Sequence, residues 1–204
     1  MNAHIFLGGE EYRGKLEIDT SDIVVSCDRA FKYLNDKNIK PDIVLGDFDS
    51  LGYYPENAEI FPVEKDFTDF ELAIDKISKI GGIDKIFVYC GGGGRDDHFL
   101  CNIGIMLKAF DMGLNVEFIT NFTRSFIAQG DVSFNTDIGR TVSVIPLFDA
   151  QISSSDGLKY EYKDRILNFS SSLGLSNIAT KNIVKLSVIK GKIIIFIVYD
   201  ELEF

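Results

Sequence analysis

Apolar residues fall in short, nearly unbroken runs over the first 120 residues and in shorter, turn-punctuated runs after that. His4–Leu7, Asp22–Cys27, Asp42–Leu45, Ala58–Val63, Lys85–Cys90 and Val116–Thr120 are mostly rich in Ile, Val and Phe. A strand covered on both faces has no polar side, so these runs predict strands of a buried parallel sheet. Between them the apolar period lengthens to three and four. Phe70, Ala73, Ile74, Ile77 and Ile80 share one helical face over 68–80, and Thr68 with Glu71 forms a capping box at its start. Two further helices are expected. One covers 29–38 with Phe31, Leu34 and Ile39 inward; the other covers 97–112 and stops at Gly113. Strands alternating with helices imply right-handed βαβ crossovers.

After Asn121 the period changes. Ser125–Gln129, Val132–Phe134, Thr141–Pro146, Gln151–Ser153, Lys185–Lys190 and Lys192–Tyr199 read as short strands, with room for only a short helix. Gly130-Asp131 and Ser155-Asp156-Gly157 separate some of them, and Lys190-Gly191-Lys192 reads as a tight hairpin. The expected fold is an α/β domain over 1–122, with a mostly parallel sheet covered by helices, and a small all-β sandwich over 123–204. About eighty residues make a modest core, so the second domain is expected to lean on the first or on a partner chain.

The bulk composition, 46% hydrophobic and 25% charged, is that of an ordinary globular chain. Cys27, Cys90 and Cys101 are odd in number and show no CxxC spacing. They predict free thiols in a reducing cytoplasm rather than a disulfide framework or zinc site. The amino terminus has no basic leader, and Ile193–Val198 is too short to span a bilayer. A sequence pI near 4.7 argues against nucleic acid and anionic membranes as partners.

The charge is concentrated. Residues 42–75 hold ten acidic residues and one basic residue, Lys65, giving a net −9 against −10 for the whole chain. Crowded carboxylates repel unless something positive sits among them, and a hard divalent cation takes oxygen ligands. Asp47 and Asp49, in Gly46-Asp47-Phe48-Asp49-Ser50, follow a predicted strand, where ligands of open α/β sheets bind. Their spacing of two points both the same way if the chain stays extended. Asp66 and Asp69 lie at the start of the second helix and complete an oxygen shell in this reading, while Thr68 and Glu71 serve as caps. The run Gly91-Gly92-Gly93-Gly94-Arg95 lies between a strand and a helix, where backbone N–H groups and an arginine suit phosphate. Asp97 and His98 open that helix, with Asn102 one turn on from His98. His4 reads as structural, and no serine triad is present.

Three blocks in this order resemble the thiamine pyrophosphokinase (thiamine diphosphokinase) family. They are Gly46-Asp47-Phe48-Asp49-Ser50, the run from Lys65-Asp66 through Thr68-Asp69, Glu71 and Ala73, and Gly93-Gly94-Arg95 with Asp97-His98 and Asn102. Val144-Ile145-Pro146-Leu147, Gly157-Leu158-Lys159-Tyr160 and Gly174-Leu175-Ser176-Asn177 are weaker echoes. The resemblance implies transfer of pyrophosphate from ATP to thiamine, giving thiamine diphosphate and AMP, by a Mg²⁺-dependent homodimer. It implies Asp47, Asp49 and Asp69 as metal ligands and Asp47, Asp49, Asp66, Asp69 and Arg95 as catalytic residues. ATP would be held by Asp28, Gly93, Gly94, Arg95, Asp97, His98 and Asn102. Thiamine, bound between subunits in the family, would meet Ser176 and Asn177. Two slots depart from the pattern: Ser26-Cys27-Asp28-Arg29-Ala30 keeps only the aspartate of the usual Ala-Asp-Gly-Gly, and Asp96 replaces an apolar residue. The chain has no Trp, so ring stacking falls to Tyr or Phe. The alternatives are another Mg²⁺-dependent phosphotransferase or nucleotide hydrolase, and a non-catalytic metal- or nucleotide-binding module.

Overall fold

The strands β1 (Asn2–Phe6), β2 (Ile23–Cys27), β3 (Ile43–Gly46), β4 (Glu59–Ile60), β5 (Lys85–Tyr89) and β6 (Val116–Ile119) pair in parallel in the order β6-β5-β1-β2-β3-β4. They belong to the first of two units, Met1–Asn121; the second begins at Phe122. The structure, a computed structural model, describes residues 1–199, so the last five residues of the expected second domain lie outside it. β1, β2, β3, β5 and β6 are mostly buried along their length, which is why their sequences show no polar side. The fourth expected strand is a correction. Only Glu59–Ile60 pairs, and both residues are exposed, because this strand sits at the sheet edge with β3 as its one neighbour.

The helices α1 (Ala30–Asp36), α2 (Asp69–Ile77) and α3 (Asp96–Asp111) are shorter than or shifted from expectation. α1 buries Ala30, Tyr33 and Leu34, so Tyr33 takes the inward place expected for Phe31. It packs with Phe6, Val24, Tyr89 and Ile119, a face that the 7–22 segment also covers through Tyr12, Leu16 and Ile18. Neighbouring strand residues point to opposite faces. Phe118 accordingly meets the other helices, with Phe70 of α2 and Phe99 of α3 against its ring. α2 starts at the expected N-cap: the Thr68 hydroxyl accepts from the Glu71 N–H at 3.3 Å, but the Glu71 side chain accepts from Lys108 at 3.1 Å rather than closing the expected capping box.

The second unit is antiparallel. β7 (Thr123–Asn135), β8 (Thr141–Asp156) and β11 (Ile183–Val198) are long, with β11 between the other two. β9 (Lys163–Asn168) and β10 (Asn177–Ile178), neither expected, both pair with β8. Each long strand joins two of the expected short ones, and no helix occurs among the described residues here. Lys190-Gly191-Lys192 is therefore not a hairpin. The strand runs on through it, Lys190 pairing with Gln151 and Lys192 with Leu147 of β8, and against β7 residues 189–192 stand opposite residue 129 alone, so the segment lies in a bulge inside one strand. Gly191 sits at φ 78°, and a Cβ there would lie 2.2 Å from the Asp149 carbonyl oxygen, so only glycine lets β8 approach. The core between these strands includes Val142, Val144, Ile152, Leu167, Val184, Ile193 and Ile195. No helix of the described residues is long and apolar enough to cross a membrane. Cys27 and Cys90 are buried free thiols, and Cys101 is exposed.

His4 lies in the sheet interior with 1% exposure, stacked on Phe87 and Tyr89, its Nε2 3.1 Å from Asp22 Oδ2. Burial pushes its pKa below the ordinary 6.5, against the pull of Asp22. The unfolded chain then takes the proton first, so stability falls as pH drops below about 6.5. Chemical denaturation at pH 7.5 and 5.5 should show this loss in the wild type and a much smaller one in His4→Gln. Equal losses would remove His4 as the cause.

Candidate active site

The carboxyl ends of β2, β3 and β5 carry three non-glycine residues in the left-handed region: Asp28 at φ 49°, Phe48 at φ 57° and Cys90 at φ 59°. Such backbone is costly and clusters where a fold serves a ligand. The expectation of an extended Asp47–Asp49 segment is corrected by Phe48, which turns inward and is buried at 2% exposure. The side chain of Phe48 anchors the loop, and the two flanking carboxylates still converge. Carboxylate oxygens of Asp28, Asp47 and Asp49 lie within 4.8 Å of one another. Gly46 makes this possible: at φ 148°, a Cβ there would press to 3.0 Å on the Asp28 backbone nitrogen. The Ser50 hydroxyl donates to Asp28 Oδ2 at 2.6 Å, and the Asp49 N–H donates to Asp47 Oδ1 at 3.3 Å. Asp28 Oδ1 is buried with no hydrogen-bond partner. An orphaned carboxylate oxygen inside a three-carboxylate group is what a hard cation satisfies, so these residues fit Mg²⁺.

Asp69 is reached through Lys65. The Lys65 ammonium donates to Asp47 Oδ2 at 2.8 Å and stands 3.2 Å from Asp69 Oδ1, an ion pair without a well-formed hydrogen bond. Side-chain exposures of 13% for Lys65, 17% for Asp47 and 22% for Asp69 keep water from screening the three much. Burial raises the Asp47 carboxyl, but the Lys65 ammonium and the Asp49 N–H outweigh it and hold it below the usual range. Burial pushes the Asp69 carboxyl up, and Lys65 offsets only part of that. Lys65 is the residue that sequence reasoning left without a role. Its signal was present: it is the one cation of the acidic window, four residues before Asp69. Asp66 is exposed and, like Asp49, does not line the cavity that holds Asp28, Asp47 and Asp69.

That cavity, about 660 Å³, is lined by Asp28, Asp47, Asp69, Lys65, the glycine loop and Arg95, together with His98 and Asn102. Asn102, buried on α3, donates to the Gly91 carbonyl at 3.1 Å and so fixes the loop's course. Gly93 adopts φ 67°, and Gly94 faces open space. Arg95 is paired with Asp97 through two hydrogen bonds of 3.1 and 2.6 Å, which with its own charge takes the Asp97 carboxyl down to about 2. His98 is exposed, and its backbone N–H donates to Asp97 Oδ1 at 3.0 Å. In the second unit Asn177 is buried and its amide is committed to the backbone, accepting from the Tyr160 N–H at 3.0 Å and donating to the Tyr160 carbonyl at 2.7 Å. Ser176 is exposed at φ 56° beside it. A cavity of about 560 Å³ opens there, lined by Tyr160, Tyr162, Arg165, Leu173, Leu175 and Asn177 among others.

Residues 15–118 match the family model described as thiamin pyrophosphokinase, catalytic domain, and residues 131–193 match thiamin pyrophosphokinase, vitamin B1 binding domain. The chain belongs to the thiamin pyrophosphokinase family. A thiamine pyrophosphokinase of Bacillus subtilis is 29% identical over 172 residues, 78% of this chain and 79% of that protein. A crystal structure of a Bacillus subtilis thiamine pyrophosphokinase superposes with a TM-score of 0.85 at 24% identity, covering 98% of this chain and all of that one. A yeast thiamin pyrophosphokinase structure gives 0.73 at 16% identity, over 99% of this chain and 88% of that one. At those identities the structures speak for the fold. The family match carries the activity: this is an enzyme of the thiamine pyrophosphokinase type.

Proposed function

We propose that residues 1–122 form a catalytic, ATP- and Mg²⁺-binding domain and that the chain from 123 onward is a β-sandwich that binds thiamine and dimerises. The reaction is transfer of pyrophosphate from ATP to the thiamine hydroxyl, giving thiamine diphosphate and AMP, in a reducing cytoplasm where the thiols stay free. One observation carries the site assignment: Asp28, Asp47 and Asp49 converge within 4.8 Å, and the first two share a cavity with the glycine loop. Mg²⁺ held there would neutralise charge on the phosphate oxygens during transfer. Asp28, Asp47 and Asp49 are its ligands in this reading, and Lys65 holds Asp69 beside them. The loop amides from Gly91 to Gly94 and the Arg95–Asp97 pair cradle the polyphosphate, with Asn102 keeping the loop in place. The thiamine hydroxyl oxygen bonds to the β-phosphorus as the bond from that phosphorus to the AMP oxygen breaks, and the hydroxyl proton leaves to a carboxylate of the site. Holding the hydroxyl in line is the larger part of the task. In the second domain Asn177 acts by fixing the Tyr160 loop, while Ser176 offers an exposed contact for thiamine.

Incubation with ATP, Mg²⁺ and thiamine is expected to yield AMP and thiamine diphosphate in equal amounts. Chromatography reads both. ADP as the coupled product would assign a different phosphotransfer, and thiamine-independent nucleotide breakdown a hydrolase.

A further inference from the structure

Three Lys or Arg side chains line the catalytic cavity, and they differ in what balances their charge. Lys65 is matched to Asp47 and Asp69, and Arg95 to Asp97. Arg29 has only neutral partners among the described residues: its Nε donates to the Gly8 carbonyl and its Nη2 to the Gly9 carbonyl at 3.1 Å. A guanidinium carries five N–H donors, so three remain, with a full positive charge. The side chain is exposed yet held. Its Cγ lies 3.2 Å from where a Cβ on Gly8 would sit, and the Gly9 and Glu10 N–H groups bond onward to the Cys90 and Gly92 carbonyls at 2.7 and 2.9 Å. Arg29 is thereby tied to the strand-end loop that opens the phosphate cradle. It also lines a second cavity of about 770 Å³, shared with Tyr33, Ser50 and Tyr53 and with the charged Glu10, Glu11, Lys32 and Asp36, none of which is ion-paired to it, and so stands where the two cavities meet.

We propose that Arg29 grips the α-phosphate of the nucleotide, with the polyphosphate in the first cavity and the nucleoside in the second. This rests on the pyrophosphotransfer reading. When the β-phosphorus bonds to the thiamine oxygen, the electron pair of the broken bond goes to the α-phosphate oxygen of AMP. Charge rises there, and a guanidinium not already neutralised by a carboxylate stabilises it. Arg29 is thus a catalytic residue that binds the leaving group and favours nucleotides over nucleosides.

Titration calorimetry of the full chain with AMP and with adenosine, without metal or thiamine, tests this. Arg29→Gln keeps an N–H donor for the Gly8 and Gly9 carbonyls but loses the charge. It is expected to weaken AMP about 10–100-fold, the usual worth of a charged hydrogen bond, and to leave adenosine within about twofold. Arg29→Lys should fall between. AMP binding by Arg29→Gln at wild-type strength overturns the proposal. Equal loss of AMP and adenosine also overturns it, since Arg29 would then only brace the loop. A wild type that binds AMP no better than adenosine removes Arg29's role while leaving the catalytic reading to the product assay. A wild type that binds neither, and makes no AMP from ATP and thiamine, removes both.

Discussion

Asp49→Asn should lower turnover by about 10²–10³-fold while leaving the unfolding midpoint within a degree or two of wild type. The metal's stabilisation of developing phosphate charge is worth several kcal/mol, and each 1.4 kcal/mol is tenfold. Asn keeps the shape but surrenders the charge that makes a carboxylate a good Mg²⁺ ligand. Asp49 is the exposed member of the three-carboxylate group, so the fold does not depend on it. Steady-state kinetics across a Mg²⁺ titration check this. The loss should shrink at high Mg²⁺ if it reflects metal affinity, and turnover near wild type at ordinary Mg²⁺ would remove Asp49 from the metal site.

Lys65→Met should destabilise the fold by about 1–3 kcal/mol at pH 7. Removing one partner of a fully buried pair costs about 3–5 kcal/mol, and an exposed pair about 0–1. Side-chain exposures of 13–22% place this one between. In the wild type the Asp47 carboxyl is depressed, so its contribution to stability is present above the ordinary 3.8 and lost as pH falls through its folded value. The Asp69 carboxyl is raised, so its ionisation works against the fold as pH rises through 3.8 toward its folded value. Without Lys65 both carboxyls are pushed up, and two partly buried negative charges face each other at neutral pH. The gap between variant and wild type should therefore be wide at pH 7 and narrow at pH 4.5. Urea denaturation at both values reads it, and a gap of constant size would mean that Lys65 contributes packing alone. With Mg²⁺ held by the folded state as proposed, millimolar Mg²⁺ should restore part of the loss.

Much of the first unit was legible because its cause is local. Continuous apolar runs mark strands with both faces covered, and Thr68 marks an N-cap that forms, while the Glu71 side chain expected to complete the box pairs with Lys108 instead. Where the cause was not local, the reading slipped. The run Ala58–Val63 has strand-like residues, but only Glu59–Ile60 finds a neighbour. The long strands of the second unit were cut at Gly130 and Gly191, which mark bends and bulges rather than ends. The tie between Asn177 and the Tyr160 backbone, seventeen residues away, was likewise not legible, because nothing local in the sequence marks it.

By itself the sequence determined which residues alternate, which caps close, and that nine units of net negative charge gather between residues 42 and 75. The family pattern in those same residues determined the kind of chemistry. The tertiary structure decided how the charges are shared out. It brought Asp28 to Asp47 and Asp49, set Lys65 between Asp47 and Asp69, turned Asp66 outward, and left Arg29 without an ion pair among the described residues. Spacing along a chain fixes neighbours within a turn or two. Parallel strands, by contrast, deliver their carboxyl ends to one edge from segments twenty to sixty residues apart, and only the register of β2, β3 and β5 against β1 and each other sets which side chains meet there.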